Sequence, residues 1–261
     1  MKAKFSILIT TKNRKSDLFF TLQKVENLLE REDVECIVCD DGSTDGTFEM
    51  VRDTFPKVLL MQNPKSKGLI FSRNRMLNTI ASDYAISIDD DLHFLTEAPL
   101  EKIESYFKEH SKCAIQSFRI FWSKKAPVSF DTAQHFEKVK SFAGGANVWN
   151  MKAWKEIPDY PSWFIFYGEE DFAAFQLFKK GWEIHYNPDI LVHHRVDIKA
   201  RKKGKDYQQR TRRSLRAGWY LYLMFYPLQV VPKKMAYSIW TQFKLKTLKG
   251  DWKATLGLFQ A

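Results

Sequence analysis

Short apolar runs alternate with helical patterns through the first hundred residues. Residues 5–10, 34–39, 58–61 and 84–88 read as buried strands rich in Ile, Val, Leu and aromatic side chains. Between the first two, Leu18, Phe19, Leu22, Val25, Leu28 and Leu29 share one helical face, and Ser16 is placed to cap that helix. Phe48, Met50 and Val51 mark a short helix after the Gly42-Ser43-Thr44-Asp45-Gly46 turn, and residues 69–80 a longer one. This alternation predicts a mostly parallel sheet with right-handed crossovers, covered by helices on both faces.

After residue 91 the pattern loosens. Residues 101–110 and 169–180 read as helices, the latter ending at Gly181, while 114–121, 183–186 and 190–193 read as strands. Their long, irregular connections suit a mixed sheet that closes over a cleft. Beyond Arg195 a basic run leads into an aromatic helix, then Pro227, then a helical pattern through Met235, Ile239, Trp240, Phe243 and Leu248.

Composition changes this picture in three places. A hydrophobic share of 44% argues for a folded chain along most of its length. The formal net charge of +10 is uneven, because residues 199–253 hold 15 Lys and Arg against Asp206 and Asp251. The basicity therefore belongs to the C-terminal segment and the remainder is slightly acidic. Cys36, Cys39 and Cys113 cannot form a disulfide framework, which favours a reducing compartment. The Cys36-x-x-Cys39 spacing lies in a strand, where residues three apart face opposite sides, and this weighs against a zinc or redox role. No signal peptide is expected before the first strand. The stretch 219–231 is shorter than the ~20 residues that span a bilayer and contains Pro227, so no simple spanning helix is expected.

The candidate chemistry gathers at strand ends. Asp89, Asp90 and Asp91 follow a core strand directly, which is costly unless a cation or hydrogen-bonding ligand meets them. Hard divalent cations suit such oxygens, although a solvated loop leading to a helix near Glu97 and Pro99 is the plain alternative. Thr10, Thr11 and Asn13 follow the first strand, Asp40 and Asp41 the second, so a doubly wound sheet would line one crevice with all of them. Arg73 adds a forked donor for phosphate, unless it is an ordinary surface arginine.

These residues fall in a known order. FSILITTKNR (5–14), CIVCDDGSTDGT (36–47), NPKSKGLIFSRN (63–74) and SDYAISIDDDLHF (82–94), followed by GGANVW, FYGEEDFAAFQLFKKGW and PDILVHH, resemble the family 2 glycosyltransferases of the GT-A fold. The resemblance implies an α/β domain over 1–198, with a Rossmann-like nucleotide-binding half (1–95), a mixed-sheet acceptor half (96–198), and a basic helical tail (199–261). It implies a nucleoside-diphosphate sugar donor and inversion at the anomeric carbon. Thr10, Lys12 and Asp41 would surround base and ribose, with Thr11, Asn13 and Arg14 in the same loop. Lys67, Gly68 and Arg73 would lie toward the diphosphate, Asp89 and Asp90 near ribose and metal, and Gly145 where the backbone approaches the donor sugar. Asp91 would bind Mn²⁺ or Mg²⁺ directly, with Asp89 and His194 as further ligands and His193 as the neighbouring alternative.

Displacing a nucleoside diphosphate requires stabilisation of the leaving group's charge and a general base on the opposite face. Glu169, Glu170 and Asp171 are the candidates for that base, since packed carboxylates raise one another's pKa. Counted back from Gly181, Glu170 holds the family's usual base position, and Asp171 remains a rival because Glu-Glu-Asp replaces the commoner Glu-Asp. Three acids at a helix start could also serve only to offset its dipole. Trp163, Phe164 and Phe166 could stack on a sugar or be core.

In the tail, nine basic residues between 199 and 216 stand against Asp206, a pattern also seen in nucleic-acid binding. The interleaved Trp219, Tyr220, Tyr222, Phe225, Tyr226 and Trp240 favour an anionic membrane surface instead, with a packed or oligomerising appendage as the alternative. The expected protein is a metal-dependent, inverting glycosyltransferase, with UDP favoured, at the cytoplasmic face of a membrane. Its acceptor would be a glycan or lipid-linked sugar, and no nucleic acid is expected as a partner. A nucleotidyltransferase and a non-catalytic nucleotide- or glycan-binding module are the competing readings.

Overall fold

The computed structural model describes residues 2–130, 134–197 and 206–261, apart from the side chains of Lys253 and Ala254. Part of the basic run, with Lys199, Arg201, Lys202, Lys203 and Lys205, lies outside the described residues. In chain order the strands are β1 (Phe5–Thr11), β2 (Val34–Asp40), β3 (Val58–Gln62), β4 (Tyr84–Asp89), β5 (Leu92–Phe94), β6 (Cys113–Trp122), β7 (Glu137–Val139), β8 (Ala146–Asn150) and β9 (Glu183–His194). The helices are α1 (Lys15–Val25), α2 (Thr47–Thr54), α3 (Leu69–Leu77), α4 (Pro99–Glu109), α5 (Met151–Trp154), α6 (Glu169–Lys179), α7 (Tyr207–Phe225), α8 (Val231–Leu245) and α9 (Trp252–Phe259).

Period-2 alternation builds the sheet as expected. Phe5, Ile7 and Ile9 of β1 point into one core with Cys36 and Val38, while Leu8 points into the other with Ile37 and Cys39. The two cysteines thus bury on opposite faces, and burial pushes the Cys36 thiol up to about 12. Leu18, Leu22 and Val25 of α1 cover the first face, fully buried. Each contributes roughly 1.5–3 kcal/mol by leaving water. Ser16 does not cap this helix. It lies inside the first turn, and the backbone N–H of Lys15 donates to Asp45 Oδ2 at 3.1 Å across the cleft loops.

The strand order is β3-β2-β1-β4-β8-β6-β9-β5, with β7 beside β9. The β3-β2-β1-β4 half is parallel, whereas β8 runs antiparallel to both β4 and β6, so the sheet is mixed where the pattern loosened. Two features escaped the periodicity. The three-residue β5 leaves β4 by a two-residue turn and rejoins the sheet at its far end, pairing Leu92 with His194. The sheet therefore curls until its β5 end returns beside β4, next to Asp89 and Asp91. Residues 183–186 and 190–193, expected as two strands, form one continuous β9. Pairing passes from Phe118↔Asn187 to Arg119↔Leu191, so residues 188–190 bulge out. Pro188, which has no N–H to donate, is housed there.

The C-terminal helices dock on the body. Ala217 and Leu221 of α7 join the second core, and Phe225 stacks on Phe175 of α6 at 4.6 Å. Among the described residues no helix is long and apolar enough to cross a membrane.

Candidate active site

The crevice at the carboxyl ends of β1, β2 and β4 is ordered by its own acids. Asp41, at the end of β2, accepts from Asn63 Nδ2 (2.8 Å), Ser66 Oγ (2.6 Å) and the backbone N–H groups of Lys67 (2.8 Å) and Gly68 (2.9 Å). Burial raises its pKa, but these donors outweigh it and hold the carboxyl below its ordinary range. Asp41, expected at the base, has both oxygens engaged in shaping the loop between β3 and α3. Its neighbour Asp40 is wholly buried, takes the backbone N–H of Ser43 on Oδ1 at 2.9 Å, and has no partner for Oδ2 among the described residues. Sequence reasoning placed Asp40 at the strand end, lining the crevice, but assigned the base contact to Asp41. Thr10 is half-buried, Lys12 exposed, and Asn13 ties the first loop to the second by accepting from the Thr44 N–H at 2.7 Å. Gly68, at φ +96, precedes α3 in a conformation that favours glycine, and it passes close to the carbonyl of Ile165.

The acidic triplet divides into three roles. Pairing of β5 with β9 sets Asp91 against His194, whose Nε2 lies 2.8 Å from Asp91 Oδ1 and 3.9 Å from Asp89 Oδ2. The ligating atoms of Asp89, Asp91 and His194 fall within 4.8 Å of one another, a group that could hold a metal ion. His194 Nε2 is buried against these two carboxylates. Asp90 turns away to accept from Thr11 Oγ1 at 2.9 Å and to pair with Arg14 Nε at 2.8 Å. Burial, only partly offset by Arg14, pushes its carboxyl up to about 7. In Asp91 the order reverses: burial would raise it, but His194 and Arg14 together hold it low, so it stays ionised. His193 instead lies against Ser123, its Nε2 2.8 Å from the Ser123 carbonyl, and stands outside the group.

On the opposite wall, α6 presents its first turn. Arg73 from α3 is buried and spans the cleft, donating to Glu169 Oε1 at 2.8 Å and to Asp89 Oδ1 at 3.3 Å. Glu170 lies beside it, and burial followed by the charge of Glu169 raises its pKa well above the usual carboxylate range. Asp171 is exposed and accepts from Ser141 Oγ at 2.8 Å. Gly144 and Gly145 make this packing possible. A Cβ at Gly145 would overlap the Asp89 carboxylate, and one at Gly144 would overlap Glu170 Oε1 and Arg73 Nη1. Next to them a cavity of ≈ 680 Å³ opens, lined by Ser117, Gln134, Glu137, Ser141, Phe142 and Tyr186. Phe164 is core, stacked on Tyr220 of α7, whereas Trp163 is more than half exposed.

Comparison with known proteins agrees with this geometry. A model described as Glycosyl transferase family 2 matches residues 6–175. The chain is 30% identical over 116 residues to a dolichol-phosphate mannosyltransferase of Pyrococcus furiosus, covering 44% of this chain and 33% of that protein. It is also 30% identical over 96 residues to the Escherichia coli UDP-Glc:alpha-D-GlcNAc-diphosphoundecaprenol beta-1,3-glucosyltransferase WfaP, covering 35% of this chain and 36% of that protein. The chain thus spans about a third of the curated relatives it matches. Among solved structures, the Pyrobaculum calidifontis mannosyltransferase PcManGT in complex with GDP-Man and Mn²⁺ superposes with a TM-score of 0.62 at 15% identity, over 98% of this chain and 74% of that one. S. aureus TarS 1–349 in complex with UDP gives 0.59 at 16% identity, over 96% and 74%. The curled mixed sheet is that of the GT-A fold.

Proposed function

The chain belongs to glycosyl transferase family 2, and from that premise we propose that it transfers a sugar, with inversion, from a nucleoside-diphosphate donor to a glycan or lipid-linked acceptor in a metal-dependent reaction. The observation that carries this is the convergence of Asp89, Asp91 and His194 where the curled sheet meets itself, across the cleft from Glu170. Two carboxylates and one imidazole are a donor set that Mn²⁺ or Mg²⁺ can use. Bound there, such an ion would supply Lewis-acid stabilisation of the diphosphate leaving group.

The residues of the chain do the rest. Asp40 Oδ2, buried and unpartnered, is the acceptor for an imide N–H of the base, which favours UDP, while Asp41 keeps the loop around it in shape. Thr10, Thr11, Lys12 and Asn13 border base and ribose, and Lys67, Gly68 and Arg73 border the diphosphate. Gly144 and Gly145 leave room for the donor sugar against Arg73 and Asp89. Glu170 takes the proton of the acceptor hydroxyl as the new C–O bond forms and the nucleoside diphosphate departs. A carboxylate with an elevated pKa is better matched to that task near neutrality than an ordinary one. Glu169, fixed by Arg73, is the neighbour that raises it, and Asp171, turned to solvent and Ser141, is the weaker candidate. The acceptor enters through the cavity beside Ser141 and Tyr186. Family membership favours glycosyl over nucleotidyl transfer.

The same proposal covers 199–261 as an interfacial tail. Tyr237, Trp240, Leu248, Trp252 and Phe259 are more than half exposed on α8, α9 and the turn between them, among exposed Lys233, Lys244 and Lys249. Aromatic and basic residues so mixed suit an anionic lipid surface at the cytoplasmic face, where a lipid-linked acceptor would lie. The test is a thermal-shift series with UDP, GDP, dTDP and CMP, each with and without Mn²⁺, followed by assay of sugar donors of the nucleotide that binds. Mn²⁺-dependent stabilisation by UDP, then release of UDP rather than pyrophosphate, is expected. Stabilisation by none of the four would remove the donor site.

A further inference from the structure

Two arginines flank the Asp89, Asp91 and His194 group, and each holds the carboxylate oxygen that points away from the histidine. Arg73 Nη2 lies 3.3 Å from Asp89 Oδ1, leaving Oδ2 toward His194 Nε2. Arg14 Nη2 lies 2.7 Å from Asp91 Oδ2, leaving Oδ1 toward the same nitrogen. The two differ in freedom. Arg73 has a side chain only 7% exposed and is locked to Glu169 at 2.8 Å. Arg14 has a side chain 38% exposed, rises from the β1–α1 loop directly after Asn13 (φ 53), and is shared among Asp17 (2.9 Å), Asp90 (2.8 Å) and Asp91 (2.7 Å).

We propose that Arg14 is a resident counter-ion that couples binding of the divalent cation to binding of the nucleotide donor. While the cleft holds no nucleotide, its guanidinium offsets the charge on Asp90 and Asp91 that would attract a cation, and its own positive charge opposes one. A diphosphate matches the same planar fork as well as a carboxylate does, and carries more charge. Its arrival draws the half-exposed Arg14 off Asp91 and restores the full carboxylate to the cation. Arg73 cannot act this way, because moving it would strand the buried Glu169 without its partner. By reciprocity, the cation must tighten nucleotide binding by the same factor. The pair would then enter as a unit, and cytosolic cations alone would leave the site largely unfilled.

The inference presupposes the metal site proposed above, and the experiment separates the two. Free Mn²⁺ is titrated with the full chain and followed by its electron paramagnetic resonance signal, alone and with saturating UDP or GDP, for wild type, Arg14→Gln, Arg14→Lys and His194→Ala. Wild type should bind Mn²⁺ weakly alone and at least about fivefold more tightly with the nucleotide that stabilises it. Arg14→Gln should bind Mn²⁺ alone about fivefold more tightly than wild type and lose most of the nucleotide-dependent gain. Arg14→Lys, which keeps the charge, should stay near wild type without nucleotide, and His194→Ala should bind poorly throughout. Mn²⁺ binding by Arg14→Gln alone that is equal to or weaker than wild type, with the nucleotide gain intact, would overturn the role of Arg14 and leave the metal site standing. Absence of Mn²⁺ binding in wild type with either nucleotide would sink the metal site and the coupling together.

Discussion

Leu18, Leu22 and Val25 on α1 and Ile239, Trp240 and Phe243 on α8 are apolar stripes of the same helical kind, yet the first is fully buried and the second open to solvent. Periodicity states that a helix has an apolar face; it does not say what covers it. On α1 the sheet supplies the cover. The C-terminal helices meet the body chiefly through α7, whose Leu215, Ala217 and Leu221 are buried, and Tyr226 just after it, while most large side chains of α8 and α9 remain exposed. On the proposed function, the body encloses a nucleotide-sugar donor and the appendage stays uncovered until something apolar meets it.

Separating the two regions by substitution sharpens this contrast. Glu170→Gln should lower kcat by about 10²–10⁴-fold on a soluble and a lipid-linked acceptor alike, with Asp171→Asn costing far less, as read from steady-state product formation. Equal losses for the two variants would move the base to Asp171 or away from α6. The combined Trp240→Ala and Trp252→Ala variant should show the reverse. Its partition onto anionic vesicles should fall by about tenfold per tryptophan, while kcat on a soluble acceptor is unchanged, as measured by cosedimentation and assay. A third measurement bears on the body only. Because the base acts when ionised and the Glu170 pKa is raised, kcat should fall as pH drops through that pKa, by about tenfold per pH unit below it. This acid limb should lie above the ordinary carboxylate range and vanish in Glu170→Gln. The smallest effect is expected at Asn63→Ala, which takes one donor from Asp41 and should cost about 1–3 kcal/mol in urea unfolding.

Much of the body was legible because its signals are local. Strand alternation, the acids behind β4 and the glycines before β8 all lie within a few residues of what they do. What was not legible depends on partners far along the chain. The β5 strand has three residues, too few for a period, and exists because β9 receives it. The unbroken β9 was hidden by Pro188, whose bulge is held by Thr96 Oγ1, which accepts the Leu191 N–H and donates to the Asp189 carbonyl, and by Asn187 Oδ1, which accepts the Asp189 N–H. Ser16 carried the usual capping signature, but Asp45 on another loop took that place. Asp40 and Asp41 are alike in sequence and differ only in that the loop of Asn63, Ser66, Lys67 and Gly68 folds over one of them. In the tail, Trp and Tyr serve packing and membrane contact equally, so the docking of α7 on α6 left no separate mark.

The continuous β9 has a consequence for how such a protein can diversify. Its last residue, His194, faces the acidic pair, while Tyr186 lines the cavity, roughly 17 Å away along the β6 residues Ser117 to Trp122 that pair with this stretch. The bulge at residues 188–190 lies between them and absorbs local change in register. Substitutions that reshape the cavity wall at Tyr186 should therefore leave the histidine at the far end aligned with Asp89 and Asp91, so that on the proposed function acceptor preference could change without disturbing the metal group.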